Sequence, residues 1–149
     1  MKKNIVVTGV AGFIGSQIAK ALLSDGHRVF GIDNLKTGYA ENIPEGVEAI
    51  FADCADQGLH QNVLLKGVEI DVIVHFAGQS SGEISFDDPI QDLSDNCVST
   101  LNLLKLALRV GCTKFLFASS MSVYGAFDGS MANECSGTCL LYTSDAADE

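Results

Sequence analysis

The chain has 149 residues, which is room for a single globular domain and little else. Hydrophobic residues make up 47% and charged residues 19%, a balance that supports a packed core and excludes disordered, collagen-like and solvating acidic chains. Nine Lys and Arg against nineteen Asp and Glu leave a formal charge of -10, which opposes the basic face that nucleic-acid binding requires.

Residues 4–8 (NIVVT) read as a short buried strand. A glycine-rich turn follows, then a helix whose apolar residues Ile14, Ile18, Ala19, Leu22 and Leu23 fall on one stripe, with Gly26 as its stop. Residues 28–33 (RVFGID) form the second strand and complete a βαβ unit. Residues 34–46 read as loop from their Asn, Gly, Thr and Pro content. A third strand covers 47–52 (VEAIFA), a shorter helix is expected near 59–66, and 71–76 (DVIVHF) is the fourth strand.

The longest helix is predicted from about Pro89 to Val110, with Asp88 as N-cap, Pro89 in the first turn and Gly111 just past the end. Ile90, Leu93, Cys97, Leu101, Leu104 and Leu108 form the stripe expected to pack on the sheet. Leu103 and Leu106 widen the apolar surface, as further core or as a contact with a second copy. Asp92 and Asp95 near the start, with Lys105 and Arg109 near the end, match the helix dipole. Residues 114–119 (KFLFAS) are the fifth strand. Because strand crossovers are right-handed, the prediction is an α/β, doubly wound parallel sheet of about five strands in order 3-2-1-4-5, with ligands at the carboxyl ends of the strands.

The five cysteines (54, 97, 112, 135 and 139) form no C-x-x-C pair and no alternating Cys/His spacing, so neither a zinc site nor a disulfide framework is expected. They suit a reducing cytoplasm. The apolar run after Lys2 and Lys3 is far short of the ~20 residues of a membrane span, so a soluble, cytoplasmic protein with no membrane partner is expected. His27, His60 and His75 make no ligand set, and His75 at a strand end reads as a packed, hydrogen-bonded residue.

Residues 8–15 (TGVAGFIG) place Gly9, Gly12 and Gly15 at spacing three between the first strand and the first helix. The first glycine permits the sharp turn, the second lets backbone N–H groups approach a pyrophosphate, and the third permits close helix–sheet packing. Asp33 ends the second strand, where a carboxylate accepts hydrogen bonds from both ribose hydroxyls and repels a 2′-phosphate. NAD is therefore favoured over NADP, although Lys36 nearby keeps an NADP reading open and Asp33 has a bland alternative as a turn residue.

Together these segments resemble the N-terminal part of the extended short-chain dehydrogenase/reductase family, a Rossmann-fold family, and within it the nucleotide-sugar epimerases and dehydratases, 4-epimerase-like members nearest. The resemblance runs from Lys3 to about Gly125. It rests on T-G-x-x-G-F-I-G at 8–15, D-N-L-x-T-G at 33–38, the strand-end Asp53, H-x-A at 75–77, the mid-helix Asn96 and S-S-x-x-V-Y-G at 119–125.

The resemblance implies NAD as cofactor, a nucleotide sugar as substrate and hydride transfer between a sugar carbon and NAD. It assigns Phe13 and Ile14 to the pyrophosphate, and Asp33, Asn34, Leu35, Lys36, Thr37 and Gly38 to the adenosine ribose. Asp53 and Cys54 go to the adenine edge, and Phe76, Ala77, Gly78, Gln79 and Asn96 to the path toward the nicotinamide. The bland alternatives are a turn cap for Asp53, sheet filling for Phe76 and Ala77, and a bond within its own helix for Asn96. Ser120 matches the family's catalytic serine, which bonds the reacting sugar hydroxyl.

Tyr124 is not the family's proton-transferring tyrosine, which belongs to a Y-x-x-x-K motif downstream of the serine. That motif is absent: Tyr142 is followed four positions later by Ala146, and no Lys or Arg follows Lys114. Losing that pair removes general acid–base catalysis, worth ~10²–10⁴-fold by itself. Residues 139–149 back-translate without mismatch into a transposon adapter used in preparing sequencing libraries. The expectation is an incomplete NAD-binding domain over 1–138 followed by a foreign tail.

Cut there, residues 114–119 would leave an unpaired apolar edge prone to self-association. A family homodimer would lack half its interface, since relatives pair through the long helix and the next one. The chain is expected to be the NAD-binding portion of a nucleotide-sugar epimerase/dehydratase, inactive by itself. The alternative is a non-catalytic NAD(P)-binding or sensing module of the same fold.

Overall fold

A computed structural model describes residues 1–61, 67–124, 133 and 135–137. The chain divides into two compact units, Met1–Phe117 and Ala118–Glu149. The first holds β1 (Asn4–Thr8), α1 (Phe13–Ser24), β2 (Arg28–Asp33), β3 (Glu48–Phe51), β4 (Val72–His75), α2 (Gly82–Asp87), α3 (Pro89–Leu93), α4 (Ser99–Arg109) and β5 (Lys114–Phe117). The strands make one sheet in order β3-β2-β1-β4-β5, parallel at every pairing. This is the predicted topology, with each strand within two residues of its predicted ends.

Alternation along the central strands sends side chains to two separate cores. Val6, Phe30, Ile32 and Ile73 pack with Leu103, Leu106 and Ala107 on one face. Ile5, Val7 and Val29 pack with Val10 and Ala19 on the other. Both faces are covered, which is why these strands are nearly continuous in apolar residues. β5 lies at one edge of the sheet, with Leu116 and Phe117 more than half exposed.

The helices depart from the sequence reading in three ways. In α1 the buried residues are Gly15, Ser16 and Ala19, while Ile14 and Ile18 are exposed. Ala19, Leu22 and Leu23 of the predicted stripe do pack into the core. Ile14 and Ile18 turn aside because the helix presents small residues where it lies closest to the sheet.

The predicted helix over 89–110 is two helices joined by a π-helical turn at Ser94–Val98. Asp88 caps α3 through its side chain, which accepts from the Gln91 N–H at 2.9 Å. The extra residue in the π turn breaks the stripe, and α4 buries Ser99, Leu103, Leu106 and Ala107. Ile90, Leu93, Cys97, Leu101, Leu104 and Leu108, expected on the sheet, are all exposed. Apolar residues line both sides of this segment, so period alone does not select the inner one.

The third departure is α2, which the sequence did not signal; Ser81 caps it by accepting from the Ile84 N–H. Of the helix expected near 59–66, Leu59–Gln61 is a single 3₁₀ turn and 62–66 lie outside the described residues.

In the second unit, Met121–Tyr124 is a 3₁₀ turn in which the Val123 N–H reaches the Ser120 carbonyl at 3.1 Å. Residues 139–149 lie outside the described residues. Among the described residues, no helix is long and apolar enough to cross a membrane.

The exchange of faces in α4 is directly measurable. Leu103→Ala is expected to cost about 3 kcal/mol of unfolding free energy in urea, and Leu101→Ala no more than about 0.5 kcal/mol. Equal losses would reverse the assignment of faces.

Candidate functional site

A cavity of about 300 Å³ opens at the carboxyl ends of β1 to β4. The turn after β1 contributes Gly9 and Gly12. The loop after β2 contributes Asp33, Asn34, Lys36, Thr37 and Gly38, and the end of β3 contributes Ala52, Asp53 and Cys54. The loop after β4 adds Phe76, Ala77, Gly78 and Gln79, then Ser80, Ser81 and Ile84, and the helical segment adds Asp95 and Ser99.

Gly9 (φ +67°) turns the chain out of β1, and a Cβ there would lie 2.9 Å from the Ala77 nitrogen. Gly15 lies deeper: its Cβ would fall 2.1 Å from the Gly9 carbonyl oxygen. The first turn of α1 therefore starts against the end of β1. No side chain caps that start, and its leading N–H groups have no acceptor within the helix. Phe13 and Ile14 occupy that turn with exposed side chains outside the cavity lining, and Leu35 also lies outside it.

Asp33 is buried, and both its oxygens hold backbone. Oδ2 accepts from the Ala11 N–H at 2.9 Å and Oδ1 from the Leu35 N–H at 2.8 Å. Its turn-forming role is thus real, and it fixes where the carboxylate sits in the cavity. Asp53 likewise accepts from the Ala55 N–H at 2.7 Å and from the Asn34 amide at 2.9 Å. Burial, then the charges of Asp53 and Asp33, push the Cys54 thiol up to about 12, so it is no nucleophile at neutral pH.

Beneath the cavity lies a polar network. Thr8 Oγ1 accepts from the Phe76 and Ala77 N–H groups at 3.2 and 3.1 Å, so its own proton goes to His75 Nδ1 at 2.7 Å. His75 Nε2 then donates to Thr100 Oγ1 at 3.1 Å, and Thr100 donates to the Asn96 carbonyl at 2.6 Å. The chain is satisfied only with a neutral imidazole. Burial lowers the His75 pKa to about 4.

The Asn96 side chain bonds the backbone of Gln79 across elements, and no backbone of its own helix. Its amide accepts from the Gln79 N–H at 2.9 Å and donates to the Gln79 carbonyl at 3.0 Å. Asp92 Oδ1 gathers Gln79 Nε2, Ser85 Oγ and Asn96 Nδ2 at 2.8, 2.9 and 3.0 Å.

Sequence reasoning missed Asp92, Asp95, Ser81 and Ser99, having read the two aspartates as dipole partners only. The available signal was the pair of polar i, i+4 spacings, Asp92–Asn96 and Asp95–Ser99, in the N-terminal half of the predicted helix. Ser120 lies in the second unit and is exposed. Among the described residues, no group of three or more His, Cys, Asp or Glu is placed to hold a metal.

A parallel sheet in order 3-2-1-4-5, opened by a glycine turn and a bare helix N-terminus, is a Rossmann-type α/β domain. The chain belongs to the NAD dependent epimerase/dehydratase family, whose model matches residues 5–144. It is 42% identical over 126 residues to the UDP-glucose 4-epimerase of Mycolicibacterium smegmatis, covering 80% of this chain and 40% of that protein. It is also 37% identical over 124 residues to UDP-glucuronic acid decarboxylase 1 of Danio rerio, covering 83% of this chain and 29% of that one. Among solved structures, the Thermus thermophilus UDP-glucose 4-epimerase in complex with NAD superposes with a TM-score of 0.82 at 36% identity. The match covers 92% of this chain and 44% of that one. The chain thus spans about 40% of the length of its epimerase relatives.

The neutral His75 carries a pH signature. Unfolding lets the ring protonate at its ordinary value near 6.5, whereas the folded ring resists until about 4. Stability from this residue is complete above about pH 6.5 and falls as pH drops toward 4, by up to about 3 kcal/mol. Urea unfolding of the wild type should lose more stability over that interval than His75→Gln, in which carboxylate titration is shared. Parallel curves would remove the neutral-imidazole assignment.

Proposed function

We propose that these residues form the NAD-binding portion of a nucleotide-sugar epimerase or dehydratase. The observation that carries the proposal is the meeting at one cavity of Gly9 and Gly12, the turn that leads into the uncapped start of α1, with the Asp33 carboxylate. That pairing suits a dinucleotide: backbone N–H groups for a pyrophosphate, and a carboxylate for the hydroxyls of a ribose. At Gly12 an added Cβ would meet only the Gly9 carbonyl oxygen, so no side chain stands between that turn and the cavity.

In this reading Phe13, Ile14 and Gly15 offer N–H groups to the pyrophosphate. The loop from Asn34 to Gly38 encloses the adenosine ribose, with Asp53 and Cys54 at the adenine edge. Phe76, Ala77, Gly78 and Gln79 line the path toward the nicotinamide, and Asn96 holds that loop in place. NAD bound there supplies a hydride acceptor and donor for a sugar carbon. Ser120, assigned from its motif, bonds the reacting sugar hydroxyl.

A tyrosine with a lysine to lower its pKa is needed to move the hydroxyl proton, and the 149 residues hold no Tyr-x-x-x-Lys. By themselves they are therefore proposed to bind NAD without turning over sugar. The second reading is a non-catalytic NAD(P)-binding or sensing module of the same fold, and resequencing the source locus separates the two.

Calorimetric titration of the full chain with NAD is expected to show saturable binding, weakened at least tenfold by Asp33→Ala, as loss of charged hydrogen bonds implies. A folded sample that takes up no NAD at millimolar concentration would refute both readings.

A further inference from the structure

Among the described residues lining the cavity, Lys36 is the only cation, against Asp33, Asp53 and Asp95. A lysine three residues beyond the ribose-facing carboxylate is placed to accept a 2′-phosphate and so to blur the choice between NAD and NADP. Here it is engaged elsewhere. Its Nζ lies 2.7 Å from Asp95 Oδ2, in the π turn across the cavity.

The lysine is aimed there by its loop. Leu35 sits in the left-handed region at φ +57°, the Lys36 N–H donates to Asn34 Oδ1 at 3.0 Å, and the Asn34 amide is anchored on Asp53. Asp95 is equally fixed. Its Oδ1 accepts from Gln91 Nε2 at 2.6 Å, and its backbone carbonyl accepts from Ser99 Oγ at 2.5 Å.

The two partners differ in exposure, at 49% for the Lys36 side chain and 10% for Asp95. An exposed ion pair contributes little by itself. Withdrawing the lysine, however, would leave a nearly buried carboxylate without its counter-charge, which is the costly way to break such a pair.

We propose that Asp95 is a cofactor-specificity residue: by holding Lys36 it denies the cavity's cation to a ribose 2′-phosphate and favours NAD over NADP. The proposal rests on the dinucleotide reading of the cavity and adds to Asp33 a second determinant on a different element. Asp95→Asn keeps the shape and an acceptor for Gln91 while releasing the lysine.

The test is a calorimetric titration of the full chain with NAD and with NADP at low ionic strength, for wild type, Asp95→Asn and the Lys36→Gln/Asp95→Asn double variant, with circular dichroism to confirm folding. Asp95→Asn is expected to raise the NADP-to-NAD ratio of association constants about fivefold, and the double variant to return it to within about twofold of wild type. NAD binding with an unchanged ratio in Asp95→Asn overturns this proposal and leaves the dinucleotide reading standing. So does a gain that survives loss of Lys36, because the aspartate would then act by direct repulsion. Wild-type protein that binds neither nucleotide overturns the dinucleotide reading, and this proposal with it.

Discussion

The start of α1 approaches the end of β1 more closely than side chains allow. A Cβ at Gly15 would overlap the Gly9 carbonyl oxygen, and one at Gly9 would press on the backbone of Ala77. Three stretches of backbone therefore meet without side chains between them: the turn leaving β1, the first turn of α1 and the loop leaving β4. Hydrogen bonds lock this junction to its neighbours. The Gly9 N–H reaches the Ile32 carbonyl at 2.9 Å, and the Ala11 carbonyl accepts from the Tyr39 N–H at 3.2 Å and the Asn42 amide at 3.0 Å. The cavity owes its floor to this contact.

Polar side chains beneath the cavity tie the surrounding elements together. From Thr8 the hydrogen bonds run through His75 and Thr100 to Asn96, and from Asn96 to Gln79 and Asp92. Each step joins a different element, so β1, β4, the β4 loop and the helical segment share one network. Buried polar groups are costly unless every one is paired, and among the described residues no buried side-chain N or O lacks a partner. The π turn belongs to the same construction: it carries Asp95 and Asn96, the first facing Lys36 across the cavity and the second holding Gln79.

Much of this was legible in the sequence. Buried parallel strands announce themselves as short apolar runs, and right-handed crossovers leave few topologies, so the strand order followed from the runs at 4–8, 28–33, 47–52, 71–76 and 114–119. The spacing of Gly9, Gly12 and Gly15 and the place of Asp33 at a strand end located the cavity. What misled was the long helix. Two interleaved apolar stripes, one through Leu101 and Leu104 and one through Leu103 and Leu106, have the same period, and only packing shows which touches the sheet.

The sequence by itself determined the five-strand parallel fold, the glycine turn and the strand-end carboxylate, because each is a local requirement written in neighbouring residues. Tertiary structure decided which face of α4 is buried, where the helix is broken by a π turn, and that Lys36 is spent on Asp95. Those outcomes depend on residues far apart in the chain whose side chains compete for the same space and the same charge, and no local pattern records the result of that competition.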